Sequence, residues 1–291
     1  MSTLRDTLRR INSIRNTAKI TSAMKMIAAT HLRQAQKLRT SAQPYFNNLD
    51  GMLKRIVPLI DESYQNPLLD QRDVIKNVGI MVISSDKGLC GSFNSNLFKF
   101  TQNVIKTLPE IQAGADYKVI TLGNKVSNFY SRYSPEKVDF AVRPIYGQYR
   151  FAFVKEIMHK VVESYRSGKY DKIYFIYTDF VNILKQEPKI TQLLPMVIEK
   201  SEVPSNSNYI FEPSKTQILD DLIPMYVDEV FWKLFLASNQ ALRAAEMMAM
   251  DLATNNAHNF IKFLELQYNK ERQQIITTEM LEIVSGAEAL K

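Results

Sequence analysis

Apolar residues recur at helical spacing at both ends of the chain. Leu4, Leu8, Ile11 and Ile14 open the series, and Ala18, Met24, Ile27 and Ala28 continue it. Towards the other end, Leu234, Ala241, Ala245, Met248, Leu252 and Ala253 recur at steps of three, four and seven, and Leu264, Tyr268, Ile275 and Leu281 extend the stripe less strictly. Stripes of this length predict a coiled coil built from two long helices. Between them the pattern changes. Short apolar or β-branched runs at 78–84, 117–122 and 172–178, each bounded by turn residues, predict strands. Helices are expected at about 92–107, 123–133 and 149–167, the last with Phe153, Ile157, Val161 and Tyr165 on one face. Strand and helix alternate with short loops, which predicts a Rossmann-like α/β domain with a mostly parallel sheet covered by helices.

Glycine and proline sharpen this division. All 11 prolines lie between Pro44 and Pro224, and every glycine but Gly286 lies between Gly51 and Gly168. In a helix interior glycine costs about 1 kcal/mol and proline about 3 kcal/mol. The expected organisation is therefore an N-terminal coiled-coil helix at 1–57, a central α/β domain at 75–200 and a C-terminal coiled-coil helix at 215–287. The 61 residues of 225–285 hold neither glycine nor proline. At about 1.5 Å per residue they make a helix of roughly 90 Å, far longer than a small domain is wide. Many inward positions are small or polar, as in ITSAM, MAMDLATNNA and SGAEAL. Such a seam buries little apolar area at ~25 cal/mol per Å², so a partner is expected to sheathe it.

Charge adds a pairing rule. The net charge is +7. Residues 1–43 carry nine Lys/Arg against one acid, Asp6, a balance of +8. Residues 225–285 carry five Lys/Arg against eight acids, a balance of −3. The two ends attract each other. A basic helix also satisfies nucleic acid or an anionic membrane surface by charge alone, but residues 1–43 contain no aromatic and no recognised nucleic-acid motif. One cysteine excludes an internal disulfide and fits a reducing compartment. No run of about 18 apolar residues is present to span a bilayer, and the first residues, MSTLRDTLRR, lack the apolar core of a secretory signal.

Candidate chemistry centres on SSDKGLCG, residues 84–91, where an apolar run opens into a turn holding Asp86, Gly88, Cys90 and Gly91. The glycine spacing matches neither a dinucleotide fingerprint nor a P-loop, and Asp86 would repel phosphate. Cys90 as a nucleophile needs a base, and the histidines are His31, His159 and His258, scattered over predicted helices. The expected role is a small buried cysteine at a helix start. No histidine has metal-ligand spacing to another or a carboxylate cluster beside it; neither a metal nor a cofactor is expected. Asp220 and Asp221, just before a helix, read as caps.

Three stretches together resemble the gamma subunit of F-type ATP synthases, of the bacterial type. They are KITSAMKMIAA at 19–29, SSDKGLCG with YDKIYFIYTDF at 170–180, and MAMDLATNNA followed by LQYNKERQQIITTEMLEIVSGAEAL. The resemblance runs through nearly the whole chain. It implies a non-catalytic rotor shaft whose antiparallel coiled coil enters a catalytic head of alpha and beta subunits. Its α/β domain then sits at the base against the epsilon subunit and the membrane c-ring, on the cytoplasmic face of the inner membrane. Ion flow through the c-ring would be coupled to ATP synthesis or hydrolysis in the head. SSDKGLCG becomes a structural motif of the base domain. Coupling contacts carry over to Met24 with Lys25, and to Arg272, Gln273, Thr277 and Glu279 on a segment expected opposite Met24. The chain departs from the family where S-E-x-x-A-R-M usually stands: Leu242 replaces the Glu and Glu246 the Arg, with Arg243 the candidate substitute. The lack of a second cysteine argues against the dithiol switch of some chloroplast relatives.

Overall fold

The computed structural model describes residues 4–59, 64–145, 147–198 and 211–288. The chain divides into two compact units, one of residues 1–29 with 246–291 and one of residues 30–245. Two helices, α1 (Leu4–Ile56) and α6 (Lys215–Glu288), contribute to both.

In the first unit α1 and α6 run antiparallel. Thr7 reaches Glu271, Arg15 Glu265, Thr21 Thr254 and Lys25 Asp251. Inward positions step by three and four on both helices. On α1 they are Leu4, Thr7, Ile11, Ile14, Ala18, Thr21, Lys25 and Ala28; on α6 they are Met250, Thr254, Ala257, Ile261, Leu264, Tyr268 and Glu271. A 3.5-residue repeat is the coiled-coil period. The seam is as thin as its composition implies: its apolar cluster is Ile11, Ile261 and Leu264, flanked by Ile14 and Tyr268. Four apolar residues of the expected stripes, Leu8, Ile27, Leu252 and Ile275, are exposed. Spacing finds the stripe, but several apolar residues lie beside it; Thr7 takes the inward slot next to Leu8, and Leu252 falls between the inward Met250 and Thr254. Leu281 is exposed as well, within a stretch of α6, 272–288, that is exposed throughout.

In the second unit a five-stranded sheet has the order β3-β2-β1-β4-β5. The strands are β1 (Asn77–Ile83), β2 (Asp116–Leu122), β3 (Val138–Val142), β4 (Lys172–Phe180) and β5 (Gln186–Leu194). The β1–β2, β1–β4 and β2–β3 pairs are parallel and β4–β5 is antiparallel, so the sheet is mostly parallel as expected. Alternation along β1 fills both faces. Val78, Ile80 and Val82 join the core under α2 (Phe93–Thr107) and α4 (Asn124–Tyr133). Met81 and Ile83 join the larger core with Val154, Ile157 and Val161 of α5 (Phe151–Arg166), Leu49 and Leu53 of α1, and Phe231 and Phe235 of α6. A four-residue helix, α3 (Pro109–Gln112), links α2 to β2.

Two strands go beyond the expected three, and both are edges. β3 is partly exposed along its length, and β5 carries Pro188 opposite Thr178. Proline belongs on an edge, where its missing donor costs no ladder bond. Pro44 and Gly51 lie inside α1 and Pro224 inside α6. Burial of Phe46, Leu49 and Leu53 around the first pair offsets their helix cost.

Candidate coupling surface and glycine-rich loop

The loop after β1 is a hydrogen-bonded junction. Ser84 Oγ accepts from the Val126 amide at 2.8 Å. Ser85 N–H donates to Asn94 Oδ1 at 3.2 Å, and its hydroxyl to the Lys87 carbonyl at 2.6 Å. Asp86 divides its carboxylate between two amides, Asn124 N–H at the start of α4 (2.8 Å) and Ile145 N–H beyond β3 (2.9 Å). It thereby caps one helix and pins the loop leading to α5. Leu89 (φ 66°) and Gly91 (φ 59°) adopt left-handed backbone, while Gly88 does not. The residue that requires glycine is Gly123: at φ 101° and ψ 154°, a Cβ would lie 2.5 Å from the Ser84 carbonyl oxygen.

Cys90 is 3% exposed and packs with Phe93, Ala241, Leu242 and Ala245. The Asn94 amide donates to its sulfur at 3.2 Å. Ser85 Oγ at 3.9 Å and the Asn94 amide border this thiol, and neither is a general base. Among the described residues no group of three His, Cys, Asp or Glu could hold a metal ion. The departure at Leu242 has a local explanation, because its side chain covers Cys90 and Phe93. Arg243 is not an outward substitute cation: it is 5% exposed and donates to the Tyr149 hydroxyl at 3.2 Å.

The coupling candidates lie in the first unit. Met24 is half-buried beside Lys25, whose ammonium meets Asp251 at 2.6 Å. Arg15–Glu265 adds a second bridge at 3.0 Å. Both pairs join a base of α1 to an acid of α6, as the charge balance predicts. At this exposure each contributes about 0–1 kcal/mol, so they set register more than stability. Arg272, Gln273, Thr277 and Glu279 are all exposed, and the Thr277 hydroxyl returns to the Gln273 carbonyl. These residues do not face Met24. The register puts Arg272 one residue beyond Glu271, which reaches Thr7, while Met24 lies level with Asp251. Seventeen residues of α1, about 25 Å of helix, separate the two levels. Sequence reading missed Asp251, Glu265 and Asn94, because helix register and loop closure are not encoded in spacing along one segment.

A long antiparallel helix pair with a thin, charge-matched seam, continuous in sequence with a mostly parallel α/β sheet unit, defines the class of fold. The chain belongs to the ATP synthase gamma chain family. A family model described as ATP synthase matches residues 3–290. The ATP synthase gamma chain of Chlorobium phaeobacteroides is 39% identical over 100% of this chain and 99% of its own. That of Desulfitobacterium hafniense is 40% identical over the full length of both. Among solved structures, a chain of the Euglena gracilis mitochondrial ATP synthase rotor superposes with a TM-score of 0.63 at 15% identity, covering 94% of this chain and 98% of that one. A chain of the Tetrahymena thermophila mitochondrial ATP synthase central stalk and c-ring gives 0.56 at 20% identity, covering 80% and 99%. At these identities the two structures speak to the fold.

Proposed function

We propose that this chain is the central rotor shaft of an F-type ATP synthase, coupling ion flow through a membrane ring to ATP synthesis or hydrolysis in a separate catalytic head. The full-length likeness to gamma chains carries this reading. As a gamma chain it is a non-catalytic subunit. The exposed apolar residues of α6, among them Ile276, Met280, Ile283 and Val284, support a partner that encloses this helix. In this reading alpha and beta subunits surround the paired helices, and the epsilon subunit and c-ring meet the sheet domain. Met24, Lys25, Arg272, Gln273, Thr277 and Glu279 are coupling contacts; Asp86, Gly88, Cys90 and Gly91 hold the base domain together. The chain needs no cofactor or metal of its own. Among the described residues no helix is long and apolar enough to cross a membrane, which fits peripheral attachment at the cytoplasmic face of a bacterial inner membrane.

Co-expression with alpha, beta and epsilon subunits tests this. The chain should co-elute with them in a complex that hydrolyses ATP. Elution without them, or with nucleic acid absorbing at 260 nm, would favour the basic coiled-coil reading instead.

A further inference from the structure

In the second unit α2 and α4 lie side by side over one face of the sheet, while residues of α1, α5 and α6 cover the other. Their inward stripes are Leu97, Thr101 and Val104 on α2 and Val126 and Tyr130 on α4. The opposite side of each helix carries cations and amides. Lys99 and Lys106 with Gln102 on α2, and Lys125 and Arg132 with Asn128 on α4, are all exposed. Neither helix contains an Asp or a Glu. Among the described residues none of these four cations is in an ion pair. The acids nearest along the chain are engaged or lie outside the pair. Asp86 accepts from two amides, Glu110 meets Lys172 at 2.6 Å, and Glu136 follows α4 in a short turn. Aromatic rings fill the seam between the two helices. Phe98 stacks on Phe129 with centroids 4.7 Å apart, and Tyr133, 67% exposed, lies 5.0 Å from Phe129.

We propose that this face docks an acidic amphipathic helix of another subunit. The inference rests on the rotor reading, which supplies the subunits. Lys125 and Arg132 stand seven residues apart, two turns or roughly 10 Å, and a facing helix reproduces that spacing with two carboxylates of its own. Between them an apolar side chain of that helix meets Phe129 and Tyr133, an aromatic anchor of the kind found at interface centres. Lys99 supplies a third cation from the α2 side. Lys106 lies two turns further on, past the rings. Nucleic acid fits less well: Phe98 and Phe129 turn their faces to each other, and Tyr133 alone of the three rings is open to a stacking base. A flat bilayer surface reaches the cations and leaves the half-buried rings without a partner.

The test is photo-cross-linking in the complex assembled with alpha, beta and epsilon subunits and the membrane ring. Gln102→Cys in a Cys90→Ala chain, with the other subunits free of cysteine, carries a benzophenone maleimide. Irradiation should join it to a helix of another subunit that bears carboxylates seven residues apart. Lys99→Glu with Arg132→Glu should lower the yield about tenfold, and replacing the facing carboxylates by lysine should restore it. Lys160→Glu with Arg166→Glu, an equal change of charge at exposed positions of α5, should leave the yield unchanged. Cross-links to lipid, to nucleic acid or to a surface without acids would overturn the proposal, as would a yield indifferent to reversal at Lys99 and Arg132. The wild-type charges already decide the first point, so the result does not depend on the reversed chain folding. A chain that assembles and supports ATP hydrolysis but gives no cross-link to another subunit refutes this face alone; a chain that does not assemble refutes the rotor reading and this inference with it.

Discussion

Gly123 and Cys90 sit at the same junction and should respond to substitution to very different degrees. The Gly123 backbone lies in a region open essentially to glycine alone, and a methyl group there meets the Ser84 carbonyl. Gly123→Ala should cost at least about 3 kcal/mol, read as a lowered urea midpoint. Cys90→Ala removes one sulfur from a small cluster. It should cost about 1 kcal/mol and leave ATP hydrolysis by the assembled complex unchanged. Lost hydrolysis with assembly intact would make the thiol catalytic. Asp228 offers a pH test. Burial pushes its carboxyl up to about 6, against the opposing pull of Lys155 and His159. Lys155, His159, Glu163 and Arg166 of α5 face it across a shared groove. A raised acid favours the protonated fold. Its contribution is fully present below pH 4 and is lost as pH rises through about 6. Asp228→Asn should flatten stability between pH 4.5 and 7.5 and exceed wild type at the upper end. Unchanged urea midpoints at both pH values would contradict this.

At the scale of elements, the sequence patterns reveal what is buried on two sides and miss what is buried on one. β1, β2 and β4 are continuous apolar runs because cores lie above and below them. β3 and β5 are edges, their apolar residues interrupted by Asp139 in one and by Gln186, Glu187, Lys189 and Gln192 in the other, and no strand is predicted at either. The paired helices are legible from periodicity and from charge of opposite sign. Their register is not, because a thin seam of alanine and threonine matches itself at several offsets; Lys25–Asp251 and Arg15–Glu265 fix it. Register also redefines the coupling question. Met24→Lys sets a second cation beside Lys25 and Asp251. We expect assembly and ATP hydrolysis to persist while ATP-driven proton pumping falls out of proportion. A rescuing change at Gln273 or Glu279 must then act without touching residue 24. In the isolated chain, Met24→Lys and Glu279→Gln should be additive within about 0.5 kcal/mol. A larger coupling energy would put the two sites in contact.

For the whole molecule, the central claim is that this chain turns within a stationary head while its own residues perform no chemistry. Its construction agrees: two helices with modest mutual burial, an unsheathed apolar helix end and a well-packed sheet unit to be gripped from outside. The most direct measurement fixes the head of the assembled complex to a surface and attaches a bead to a cysteine introduced at Lys106, in a Cys90→Ala background. Lys106 lies in the last turn of α2, on the sheet domain. With ATP supplied, the bead should turn in one direction in discrete steps and stop when ATP is withdrawn. A bead that stays still while the same immobilised complexes hydrolyse ATP would contradict the account.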